Sequence, residues 1–491
     1  MMLHATSGHA GPCQREIKVD VPIFPNNFPD PIYAKSMVDA FIFRQVLDNL
    51  VAISGDGHLI SAIAKSWRIS RDGLIYDFFL DPEAKFSDAT KITANDVAIS
   101  LNRPFWVNDP RKNRGVLANF VVGSENLKTG SIASGTAVVG KNHLRITLKK
   151  PYPPLLKILA YSLYGVVKLD QKYEQVIATT GPMTVHAASQ DSILIKRSQN
   201  FKGFAKCVPD SVEFRKINDI GLVSKRLLKD KSIDFALGYE QIPHVPPADM
   251  MPISIGYGHI FLNKNRAEFL DSEFRHDFVE IMRNGFHENF DTGEFTKKWL
   301  LFMPPTVMVP EYYRRESKPT ISPLQFRDKW CNRKCDRPFR IVLNQMQRSR
   351  LREKEFLGFL RGAGLRNIRI IYLQFEEWYR ALKRGDFDLI AFAYMGTYSD
   401  PDSYLTPLIG DNSIQSILSG NLADEIEKIR YTSSDAARRL LYSQVLKKFE
   451  SERYFVPLEY IPMRLYKRDG IDIPFASFKY DLRLDVQKTV F

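Results

Sequence analysis

Histidine and cysteine are scarce here, nine and four among 491 residues, and their scarcity removes most metal and redox chemistry from consideration. The histidines are scattered. His58, His143 and His186 stand apart among polar neighbours, and no His-Glu-x-x-His helix, phosphate-cradling glycine loop or Gly-x-Ser-x-Gly elbow occurs. No catalytic residue, metal site or cofactor is therefore expected, and the chain reads as a non-enzyme. Four cysteines make no disulfide framework, but Cys331 and Cys335 are close enough in sequence to bridge a local loop. A zinc site and unpaired thiols are the alternatives; zinc is the poorer, because no histidine follows His287. Long apolar runs are absent too, so no segment offers the roughly 18 uncharged apolar residues of a membrane-spanning helix. Residues 1–16 show neither a basic start nor a continuous apolar stretch, so no secretory signal is visible.

What is present is a mixture of 44% hydrophobic and 25% charged residues, the balance of a soluble globular protein. The length exceeds what one core can fill, so two or more lobes are expected. The net charge of +13 is uneven: residues 311–384 hold 19 Lys/Arg against 8 Asp/Glu, net +11. Nucleic-acid binding is one reading of such a segment. A solvated basic face able to meet anionic lipid, an acidic ligand or a partner is preferred, and no nucleic-acid partner is expected.

Short strand and helix patterns alternate, the α/β signature. Over His143–Lys149, apolar Leu144, Ile146 and Leu148 alternate with polar residues, as in a half-buried strand. Phe387–Met395 is apolar almost throughout, as in a strand covered on both faces. Helices are expected over Asp435–Glu450, capped by Asp435 with Leu440, Leu441, Val445 and Phe449 inward, and over about Arg350–Arg361, ahead of a strand near Ile368–Leu373. Asp72-Gly73 predicts a hairpin turn, and Thr93 with Asp96 a helix start.

These last residues belong to a longer run: Ile63-Ala64-Lys65-Ser66-Trp67, Ser70-Arg71-Asp72-Gly73-Leu74-Ile75-Tyr76-Asp77-Phe78, Lys85-Phe86-Ser87-Asp88 and Ile92-Thr93-Ala94-Asn95-Asp96-Val97. With Asp30-Pro31 before it, then Gly181-Pro182-Met183, Asp234, Asp388 and the closing Leu441-Tyr442 and Val456-Pro457-Leu458, the order resembles family 5 of the bacterial extracellular solute-binding proteins. Ala89 stands where that family usually has Gly, Met183 where it has Tyr, and the segment Asn263–Met282 keeps Asn263 and Arg275 without the usual Pro-Phe.

The resemblance implies a two-lobed periplasmic-binding-protein-like (type II) α/β fold with an extra subdomain. It implies an N-terminal tail over 1–16, a discontinuous lobe I (17–43, 166–257 and 464–491), the subdomain over 44–165, and lobe II over 258–463. Chain crossings are expected near Gly256–Asn263 and Tyr460–Arg468. It further implies a monomeric substrate-binding component of an ABC importer, periplasmic or extracytoplasmic, that clamps a peptide or peptide-like molecule and passes it to membrane permease subunits. A ligand-sensing or degenerate regulatory homologue is the alternative.

In peptide-binding members an aspartate after the final apolar strand pairs the ligand's free amine. Alignment on Tyr398 and Pro401 puts Thr397 at that place. Either Asp400 or another acid substitutes, or the ligand has no free amine there: a blocked or modified peptide, an oligosaccharide or a metal chelate. The candidate ligand-binding residues are thus Tyr394, Met395, Gly396, Thr397, Tyr398 and Asp400, with Trp378, Tyr33, Lys35 and Met37.

Overall fold

The computed structural model describes residues 16–468 apart from 35, 55–57, 110–111, 114, 202–208, 218, 239–241, 243–249, 291–301, 304–320, 332–334, 336, 349, 397, 399, 410–416 and 419–421. The chain divides into two units. Unit 1 is Met1–Ile253 with Met463–Phe491, and unit 2 is Ser254–Pro462.

Unit 1 begins with β1 (Glu16–Val21), α1 (Met37–Val46) and the hairpin β2 (Val51–Ile53) and β3 (Leu59–Ser61). A separate four-stranded sheet, ordered β4-β5-β7-β6, is built from β4 (Ala64–Ile69), β5 (Ile75–Leu80), β6 (Thr136–Gly140) and β7 (His143–Thr147). In β5, Tyr76, Phe78 and Leu80 are buried and the residues between them are not, the alternation of a one-sided strand. The turn before it holds Gly73 at φ +72°, where Asp72 accepts from the Ser70 hydroxyl (2.5 Å) and the Leu74 N–H (3.1 Å). α2 (Ala94–Trp106) starts at a reciprocal capping box between Thr93 and Asp96.

After α3 (Leu155–Leu159) and the pair β8 (Lys168–Leu169) and β9 (Val176–Ala178), the chain forms β10 (Met183–Ala188), β11 (Ser192–Arg197), β12 (Ser211–Lys216), α4 (Ile220–Leu228) and β13 (Phe235–Gly238). β10, β11 and β12 are antiparallel neighbours, while β1 lies parallel between β12 and β13. The chain leaves unit 1 along β14 (Met250–Leu262).

Unit 2 contains α5 (Ser272–Asn289), α6 (Pro323–Trp330), β15 (Phe339–Asn344), α7 (Glu353–Gly362), β16 (Ile368–Leu373), α8 (Phe375–Arg384), β17 (Leu389–Met395), α9 (Pro401–Ile409), α10 (Leu422–Arg430) and α11 (Asp435–Ser451). β18 (Phe455–Lys467) leads back, and its last residues pair with β13 inside unit 1. In unit 2, β15 is parallel to both β16 and β17, and β14 is antiparallel to β17. One face of this sheet packs Phe339, Ile341 and Leu343 with α5, α6 and α7. The other packs Val342, Ile390 and Phe392 with α8, α10 and α11. That two-sided burial explains the almost unbroken apolar run of β17.

The expected strand Ile368–Leu373 is β16, and Cys331 and Cys335 are joined by a disulfide. Two helix expectations need correction. α7 starts at Glu353, with Leu351 buried ahead of it. α11 is capped by Ser434, not Asp435; Phe449 is buried and Leu441 and Val445 pack against the core as expected, but Leu440 is 54% exposed, and Arg438, Tyr442 and Leu446 are buried as well. Arg438 escaped a hydrophobicity reading because periodicity assigns arginine outward.

Candidate functional site

Within unit 2, β17 runs out at Met395 beside β14, with Tyr394 opposite Tyr257 and Met395 opposite Gly256. Two glycines permit the packing. A Cβ on residue 256 would sit 2.5 Å from the Tyr394 carbonyl oxygen, and one on residue 396 only 2.4 Å from the Tyr404 ring. Tyr404 thus lies against the exit of the strand, and Tyr257 donates its hydroxyl proton to the Tyr404 carbonyl (3.0 Å).

Two buried carboxylates hold the backbone beyond the strand. Asp400, with no exposed surface, accepts from the equally buried Arg438 of α11 at 2.5 Å and from the Asp402 N–H at 3.1 Å. Asp402 accepts from the Tyr398 hydroxyl (3.1 Å) and from Arg430 of α10 (2.7 Å). Burial, with Asp402 nearby, pushes the Tyr394 phenol up to about 12, so it stays a neutral hydrogen-bonding group at ordinary pH. Tyr394 and Met395 are half-buried, whereas Tyr398 is buried with its hydroxyl committed.

The packing bears on two of the candidates in this segment. Asp400 pairs with Arg438 and carries no exposed surface, so its carboxylate is already ion-paired within unit 2. Trp378 is a core residue: its indole N–H donates to the Ala391 carbonyl (2.9 Å) and its ring packs 5.9 Å from Phe392. Thr397 lies outside the described residues. Sequence reasoning missed Gly256, Tyr257 and Tyr404; the local signal for the first two is the Gly-Tyr-Gly stretch 256–258. It also missed Glu459, which Arg350 grips at 2.8 and 2.6 Å from more than a hundred residues away.

Unit 1 holds the other candidates. Asp30 caps the short turn Pro31–Tyr33 by accepting from the Ile32 N–H, and its carboxylate pairs with the buried Arg103 of α2. Asp30-Pro31 therefore fixes the entry to α1. Tyr33 is buried and donates to Asp109 (2.9 Å); burial and that acceptor raise its phenol. Met37, half-buried, opens α1 behind a capping box of Ser36 and Asp39. Lys35 lies outside the described residues. Among the described residues, no group of three His, Cys, Asp or Glu side chains could hold a metal ion. No described helix is long and apolar enough to cross a membrane.

Residues 58–276 match the family described as bacterial extracellular solute-binding proteins, family 5 Middle. The chain is 21% identical over 477 residues to the periplasmic oligopeptide-binding protein OppA of Escherichia coli, covering 89% of this chain and 86% of that one. It is 22% identical over 463 residues to the periplasmic murein peptide-binding protein MppA of the same organism, covering 84% and 83%. Among solved structures it superposes on NikA from Brucella suis, determined with Fe(III)-EDTA, with a TM-score of 0.75 at 19% identity over 96% of this chain and 99% of that one. The superposition identifies the fold as the two-lobed α/β architecture of periplasmic binding proteins.

Proposed function

We propose that this chain, whose residues 58–276 match family 5 of the bacterial extracellular solute-binding proteins, acts as a member of that family: it captures a peptide or peptide-like small molecule between two lobes and delivers it to the permease of an ABC importer. It is a binding protein and not an enzyme. The observation that carries this reading is a match to a peptide-binding protein along 89% of the chain. Closure would follow from differential affinity, since a ligand that touches both lobes favours the closed form over the open one. The protein works outside the cytoplasm, and its Cys331–Cys335 disulfide suits an oxidising compartment. A periplasmic site of action, a monomeric state and docking to permease subunits extend that reading.

For the ligand contacts we propose Tyr394, Met395, Gly396, Thr397 and Tyr398 with Tyr33, Lys35 and Met37. Tyrosine rings suit apolar or planar groups, and the engagement of Asp400 by Arg438 favours a ligand without a free amine at that place. An ammonium buried without a carboxylate costs about 3–5 kcal/mol, more than a threonine hydroxyl returns at about 0.5–1.5 kcal/mol. Calorimetry with a peptide library and its N-acetylated counterparts tests this. Acetylated peptides are expected to bind at least as tightly; tight binding that vanishes on acetylation would refute the ligand class. An unchanged small-angle scattering radius of gyration at saturation would refute closure.

A further inference from the structure

The parallel register of unit 2 sets two arginines side by side: Arg340 of β15 pairs with Arg369 of β16. Paired residues on parallel strands point to one face. Here it is the face on which Val342 and Ile371, two residues further along, pack with Trp378 and Leu382 of α8. α8 must return from the end of β16 to the start of the parallel strand β17, so its last turn, with Lys383 and Arg384, arrives at the same edge. Gly385 ends it in the left-handed region at φ +67°. Arg266 joins them by donating to the Phe387 carbonyl (3.2 Å).

Among the described residues, the acids at this edge do not balance those cations. Asp388 is buried and already accepts from the Arg340 N–H (2.8 Å) and Arg337 (3.0 Å), with Arg266 at 3.2 Å and the Arg340 guanidinium at 3.9 Å, so one carboxylate serves three arginines. Glu268 pairs with Arg337 (2.9 Å), and Asp386 is exposed. Like charges on adjacent strands repel, so Arg369 beside Arg340 is held at a cost that an external anion would relieve. From Lys383 an aromatic run continues along the exposed side of α8. The Lys383 ammonium lies 5.2 Å from the Tyr379 ring centre, and Tyr379 stacks 6.2 Å from Phe375, which is 61% exposed. Glu376 and Glu377 occupy the first turn, where the helix dipole favours them.

We propose that this surface docks unit 2 onto an anionic phospholipid membrane, with Phe375 and Tyr379 entering the headgroup layer and Arg369, Lys383 and Arg384 meeting phosphates. Exposed aromatics beside lysine and arginine are the composition of an interfacial helix. Phe375 lies 5.9 Å from the Trp378 ring and 6.2 Å from the Tyr379 ring and is 61% exposed, so an apolar surface is offered beside the cations, which suits insertion among lipid headgroups. The proposal stands whatever ligand the protein carries.

Sedimentation of the full-length protein with phosphatidylcholine vesicles, with and without about one-third phosphatidylglycerol, tests it. Binding is expected only to the anionic vesicles and should weaken as salt is added. Each cation near the surface contributes roughly fivefold, so Arg369→Gln with Arg384→Gln should weaken binding about twenty- to thirtyfold. Phe375→Ser with Tyr379→Ser should weaken it several-fold and leave the remainder more salt-sensitive. Circular dichroism identifies variants that keep the fold. Equal binding to neutral vesicles, no binding at low salt, folded variants that bind like the parent, or full displacement by a single-stranded oligonucleotide would overturn the assignment.

Discussion

His259 makes unit 2 acid-sensitive over a defined pH window. The ring is buried in β14, stacked 4.6 Å from Tyr257 and within about 5 Å of Phe302 and Phe455. Its Nε2–H donates to the Phe302 carbonyl (2.8 Å), leaving Nδ1 without a partner. Burial pushes its pKa down to about 4. In the unfolded chain it returns to about 6.5. Between those values the unfolded state holds a proton that the folded state does not, so stability falls as pH falls from about 6.5 to about 4. The full difference is about 3 kcal/mol, and about 2 kcal/mol of it is lost between pH 7 and pH 5. Hydrogen exchange read by mass spectrometry on peptides from β14 and β17 reports unit 2 separately. His259→Phe forfeits the bond to Phe302, but that cost does not vary with pH. The variant should start less stable and lose about 2 kcal/mol less on acidification. Equal pH slopes in the two proteins would refute the argument.

Ala89 sits at φ +69° in an exposed turn, so Ala89→Gly should stabilise by about 0.5–1 kcal/mol, visible as a raised Tm. Asp400→Ala leaves Arg438 buried against only the half-exposed Asp435 and should cost about 3–5 kcal/mol in urea denaturation, whereas Asp400→Leu with Arg438→Met should cost far less. Cys331→Ser should lower stability by about 2 kcal/mol through the lost loop closure, and a matching loss under reductant in the parent but not the variant checks the cause. Asp20, raised to about 6 chiefly by burial, works opposite to His259: the folded state holds its proton longer, so unit 1 should lose stability as pH rises from about 4 to 6, a trend that Asp20→Asn should abolish.

The parts of the fold legible in the sequence are those set by neighbours within a few residues. Asp72-Gly73 dictates its turn because Gly73 needs a positive φ and Asp72 can accept from its own loop. Thr93 and Asp96 dictate a helix start because each satisfies the other's backbone. The alternation in β5 and β7 follows from one-sided burial. In α11 the same logic places Leu441, Val445 and Phe449 inward but misses Arg438. Hydrophobic periodicity assigns arginine outward, yet Arg438 faces in because Asp400, 38 residues earlier, waits there for it.

Long-range pairing also limits what the sequence says about the site. Asp400 beside Tyr398 and Pro401 reads as a spare acid for a ligand amine, and only the packing of α11 against it shows that its charge is spent internally. Trp378 reads as a candidate ligand contact, and only the fold shows its indole N–H reaching the Ala391 carbonyl. Asp30 beside Pro31 reads only as part of the family-like run; its partner Arg103 lies 73 residues on, in a helix whose own pattern gives no reason for a buried arginine. In each case a polar side chain near the candidate residues holds the backbone that presents them. The half-buried Tyr394, Met395 and Met37 carry no charge to anchor them, so their places depend on what Asp400, Asp402 and Asp30 hold still. Substitutions at those three aspartates should therefore disturb ligand affinity through geometry, with no contact to the ligand required.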